Sequence, residues 1–97
     1  MNYDDFKKSL TQLAPPVDLE PLLKALWFDA KGDWHKAHDL AQEDGGSEGA
    51  WVHAYLHRKE GDPGNASYWY SNAGKEKPEY SLEQEWESLA KHFLTKS

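Results

Sequence analysis

Apolar side chains along this chain recur every three or four positions, and no stretch alternates in the manner of a strand. Phe6, Leu10 and Leu13 stand at i, i+4 and i+7 and predict a first helix over 3–13. Asp18 is the expected N-cap of a second helix, whose face carries Leu19, Leu22, Leu23, Leu26, Trp27 and Ala30. Asp33 is expected to cap a short third helix bearing Trp34, Ala37, Leu40 and Ala41. The fourth runs over about 49–60, with Trp51, Ala54 and Tyr55 on one side and Val52 and Leu56 flanking. Asp62 caps the fifth; Pro63 takes its first position, where a missing N–H costs nothing, and Gly74 stops it. Ser81-Leu82-Glu83-Gln84 is a capping box opening the sixth, whose apolar face is Leu82, Trp86, Leu89, Ala90, Phe93 and Leu94.

Breakers separate these segments: Ala14-Pro15-Pro16, Gly32-Asp33, the Gly-rich run 43–49, Gly61-Asp62-Pro63-Gly64, and 74–78. The Gly-Asp step at Gly32 returns at Gly61, and self-similarity at such a period marks paired-helix repeats. Val occurs twice and Ile never, which leaves little to build a sheet from.

The stretch 50–78 resembles a tetratricopeptide or SEL-like helical repeat. Gly61 closes the first helix of the pair, Ala66 is the small residue at the close approach, and Tyr70 fills the aromatic position. Ala73 takes the second small position and Pro78 the closing proline, while Tyr68-Trp69-Tyr70-Ser71-Asn72-Ala73-Gly74 is similar to a SEL-like second helix. The earlier unit keeps the turn, Ala37 and Ala25, but has Ala41 where an aromatic is expected and Asp44 where a small residue is expected. The resemblance implies an all-α fold of about six short antiparallel helices, with tetratricopeptide-like hairpins packed as one compact domain. Its expected parts are a capping helix and Pro linker over 1–16, a first hairpin over 17–44, a second over 48–78, and a capping helix over 81–97.

Ninety-seven residues suffice for one modest core. Only 38% of the residues are hydrophobic, but five Trp, five Tyr and three Phe bring large apolar area. The net charge of −6 is spread along the chain without a basic stripe, which argues against nucleic acid and anionic membrane surfaces. Without cysteine there can be no disulfide, thiolate metal site or cysteine nucleophile. The N-terminus lacks a secretory signal pattern and no run is long enough to span a bilayer, so a cytoplasmic location is expected.

Chemistry is concentrated in histidine. His53 and His57 are i, i+4 on the fourth helix, the spacing of two metal ligands, and His35 and His38 are i, i+3 on the third. If the helices stack in register these four rings converge, with Glu60 joining from the turn. Against this, the helical wheel sets His53, His57 and Glu60 opposite Trp51 and Tyr55, on an expected solvated face. Trp27, Trp34, Trp51, Trp69 and Trp86 all fall on apolar faces and read as core, whereas Phe28 and Tyr68 lie off them. Glu83, Glu85 and Glu87 read as a solvated run. No serine sits in a nucleophile elbow and no loop could cradle phosphate.

The leading expectation is a non-enzymatic protein- or peptide-interaction module without cofactor, binding through Phe28, His35, His38, His53, His57 and Tyr68. Homodimerisation is a further expectation, because two repeat units are fewer than a self-sufficient stack needs. The alternative, from a different class, is a histidine-based metal-binding protein or small metalloenzyme using His35, His38, His53, His57 and Glu60.

Overall fold

The computed structural model describes residues 1–96 and places six α-helices among them, with no strand: α1 Tyr3–Ser9, α2 Pro21–Ala30, α3 Trp34–Glu43, α4 Ser47–Glu60, α5 Pro63–Ala73 and α6 Leu82–Lys96. The all-α class expected from the pattern is therefore what forms. Two helix starts and one helix end differ from the sequence reading, each for a local reason.

The first helix stops at Ser9, and Leu13 is fully exposed. Its last turns tighten to i→i+3 bonds from Leu10, Thr11 and Gln12. Lys31, at the end of α2, donates from Nζ to the carbonyls of Leu10 and Gln12, satisfying acceptors a longer helix would have used internally. The second helix starts later than expected. Asp18 is not its N-cap but a left-handed residue (φ 62°) that redirects the chain. Glu20 caps instead, its carboxylate accepting from the Leu22 N–H at 3.0 Å, with Pro21 at the first helical position.

Asp33 and Asp62 do cap α3 and α5, accepting from Lys36 and Asn65, and Ser81 and Gln84 form the capping box of α6. Gly61 ends α4 at φ 87°, a left-handed conformation that a side chain would strain. The fourth helix begins earlier than expected, so Gly49 lies within it. A Cβ there would come within 2.6 Å of the Asp44 carbonyl, so only glycine lets the loop lie so close.

Helix α4 is central. It packs most extensively on α5, then on α3, and also meets α6 and α2, while α2 packs on α3. All of 49–57 is buried, which its modest amphipathicity does not announce. Small residues set the close approaches: Ala25, Ala37, Ala54 and Ala66 are each fully buried. Around them lie Phe6, Leu22, Leu26, Val52, Leu56, Leu89 and Phe93.

Three tryptophans are core, as expected, and each indole N–H has a buried acceptor. Trp27 donates to the Ser9 carbonyl and hydroxyl, Trp51 to Glu85 and Trp86 to the Leu26 carbonyl, and Trp86 also stacks on Phe6 at 5.7 Å. Trp34 and Trp69 are only partly buried and serve elsewhere.

Glu85 overturns the solvated reading of the α6 acidic run. It is fully buried and accepts from Arg58 at 2.9 Å, from Tyr70 at 2.7 Å and from Trp51 at 3.2 Å. Asp29, also buried, accepts from the Tyr55 hydroxyl and from Lys59, at 2.8 and 2.9 Å. Burial, followed by these carboxylates, raises both tyrosine pKa values, so both phenols stay protonated and donate. No buried side-chain polar atom among the described residues lacks a partner.

Candidate functional site: a three-histidine cluster

Helices α3 and α4 bring three imidazoles together. His38 comes from the middle of α3; His53 and His57 come from successive turns of α4. The sequence reading of His53 and His57 as solvated is overturned. They are 5% and 8% exposed, with His38 of α3 packed against both rings and Trp69 of α5 stacked on His53. One ring nitrogen from each of His38, His53 and His57 lies within 4.8 Å of the other two. His38 Nε2 and His53 Nε2 are 2.8 Å apart.

The rings are held from several directions. Trp34, one turn before His38 on α3, stacks on it with centroids 4.9 Å apart and anchors its own N–H on the Leu56 carbonyl at 2.9 Å. From α5, Trp69 stacks on His53 at 4.0 Å. His53 stacks in turn on His57 at 4.8 Å, and His38 meets both edge-on, at 4.5 and 5.3 Å. On the far side, Glu60 lies 3.3 Å from His57 Nδ1.

Both ends of the cluster stay neutral at physiological pH. Burial, followed by the neighbouring His38 and His57, lowers the His53 pKa to about 4. The His38 pKa is also lowered, by burial first and His57 next, against the opposing pull of Asp39 and Glu60. Neutral imidazole is the form that binds metal.

A tetrahedral ion with metal–nitrogen bonds of about 2.0–2.1 Å holds its nitrogens about 3.3 Å apart. One pair of nitrogens stands at 2.8 Å and all three lie within 4.8 Å of one another, so side-chain rotation within the cluster would be what seats an ion. A second group, His57, Glu60 and Asp62, also has its ligand atoms within 4.8 Å. Asp62, however, already caps α5, accepting from the backbone and side-chain nitrogens of Asn65.

The remaining sequence candidates fall elsewhere. His35, expected among the ligands, is exposed with its ring edge-on to Trp34, and it is not part of the cluster. Phe28 packs partly buried against the core, its ring edge-on to Trp27 with the Lys36 ammonium 5.5 Å from its centroid, so it is not a free aromatic. Tyr68 is 61% exposed beside Trp69. The fifth histidine, His92, pairs with Glu48 at 2.7 Å and takes no part in the cluster.

Trp34 and Trp69 are site residues that sequence reasoning had placed in the core. Trp34 was legible as a ring four positions before His38. Nothing local ties Trp69 to His53. No protein-family model matches this chain, and neither a search of curated proteins nor one of solved structures finds a match.

Proposed function

We propose that this protein binds a divalent transition-metal ion through His38, His53 and His57. The convergence of three imidazole rings from two helices, two of them buried and the third half-buried, is the observation that carries this reading. Bringing three imidazoles together costs desolvation and side-chain entropy, and an ion returns that free energy through coordination. An all-imidazole donor set suits zinc, copper, nickel or iron rather than magnesium or calcium, which prefer oxygen.

The test is metal analysis and equilibrium dialysis against Zn²⁺, using protein purified without a histidine tag. One ion per chain is expected, lost in His53→Phe and retained in His35→Ala. Absence of saturable binding in the wild type, with a melting temperature indifferent to zinc and chelator, overturns the reading.

A second reading, a protein- or peptide-interaction module on tetratricopeptide-like paired helices, is favoured by Tyr68. It holds 61% of its surface in solvent on α5, beside the aromatic stack. A solvent-facing tyrosine on an ordered helix is a common interface anchor. A partner recovered by the wild type and lost with Tyr68→Ser would support this reading; equal recovery by both would count against Tyr68.

A further inference from the structure

We infer that the metal held by His38, His53 and His57 keeps one coordination position open to water or a small monodentate anion. This rests on the metal-binding reading and goes further, because a closed site and an open one differ in chemistry. Structural zinc sites carry four protein ligands; sites with three hold an exchangeable water in the fourth position.

Among the described residues, a fourth protein ligand is missing for reasons written into the fold. The chain has no cysteine. Among the described residues, ligand-competent side chains form two groups that share only His57: the three histidines, and His57 with Glu60 and Asp62. Glu60 therefore does not lie within 4.8 Å of a ligand nitrogen on both His38 and His53. It sits at His57 Nδ1 instead, where a carboxylate orients a ligating ring and raises its basicity from outside the metal's own shell. Asp62 is committed to the α5 cap.

The walls point the same way. Indole rings of Trp34 and Trp69 lie flat on His38 and His53, and neither can ligate. His38 is the least buried of the three ligands, and Trp34, stacked on it, also reaches solvent. Entry of a small ligand is therefore on that side. Apolar walls lower the local dielectric and strengthen attraction between the ion and a small anion. A zinc-bound water in such a three-histidine setting has a pKa of about 7, so water and hydroxide would exchange there near neutrality.

Cobalt(II) replaces zinc with a coordination-sensitive visible spectrum, and azide is the probe anion. Loading the wild type with one equivalent of Co²⁺ is the first step, and its failure counts against metal binding itself. Azide titration of the loaded protein is the second. A saturable shift of the visible band is expected in the wild type and in His35→Ala. No azide response in the loaded wild type overturns the open position while leaving metal binding in place. A response seen only in Glu60→Gln also overturns it, by identifying Glu60 as the fourth ligand.

Discussion

His38 Nε2 of α3 and His53 Nε2 of α4 stand 2.8 Å apart, close enough for one shared proton and too close for two. One ring must donate and the other accept, so both cannot be cationic without the rings moving apart. A metal ion placed between them replaces that single proton and draws in His57.

Zinc should therefore stabilise the fold. At free metal a hundredfold above the dissociation constant, the folded state gains about 2.7 kcal/mol. Thermal melts of chelator-treated and zinc-loaded protein should differ by several degrees or more, and His53→Phe should erase the difference. Equal melting temperatures would sink the idea.

Acid should weaken the metal-free protein. An unfolded histidine titrates near 6.5, whereas His53 in the fold titrates at about 4 and His38 is also lowered. Between these values the unfolded chain binds more protons, so stability falls as pH drops through the window and is unaffected by these groups above it. Carboxylates such as Glu48, lowered by Lys96 and His92, add their losses at still lower pH. Urea midpoints at pH 7, 6, 5 and 4 should trace the decline. His53→Gln should flatten the part above pH 4; an unaltered slope would assign that part elsewhere.

Copper(II) should quench tryptophan emission by up to the share contributed by Trp34 and Trp69, since both stack on ligand rings. Quenching should saturate at one equivalent, and Trp69→Phe should reduce the quenched fraction. A quenched fraction unchanged in that variant would place the ion away from Trp69.

Removing Glu85 should cost more than any surface change. Its carboxylate lies within hydrogen-bond reach of Arg58, Tyr70 and Trp51 at once. Glu85→Ala leaves the half-buried Arg58 without its counter-charge and two buried donors unmatched, a loss of about 3–5 kcal/mol. Chemical denaturation measures it directly; Glu83→Ala, on the exposed side, should change stability by less than about 0.5 kcal/mol.

Gly61→Ala should destabilise by about 1–2 kcal/mol through backbone strain alone. The residue is left-handed at φ 87°, yet a Cβ there meets nothing within 4 Å. A loss well above that range would mean the turn is packed more tightly than its open surroundings show.

The helical class and most helix ends were legible because their causes are local. Asp33, Asp62 and the Ser81–Gln84 box cap neighbouring N–H groups, and apolar spacing marks which face can be buried. The Pro21 start and the early end of α1 were harder to read, since Lys31 stops α1 from another helix. Of the site, the i, i+4 pair His53 and His57 and the pairing with His38 were legible as spacing. The exclusion of His35 was not, nor was the change of Trp69 from core to site wall.

Sequence by itself determined helix identity, the Asp33, Asp62 and Ser81 caps, the Gly61 turn and the presence of enough imidazole for a cluster. Tertiary structure decided which side of α4 meets solvent. A helical wheel assigns one buried face, but α4 packs at once on α5, α3, α6 and α2. That packing turned His53 and His57 inward, stacked Trp34 and Trp69 upon the rings and buried Glu85 against Arg58. Burial on both sides is a property of the neighbours a helix acquires, and no pattern within the helix encodes it.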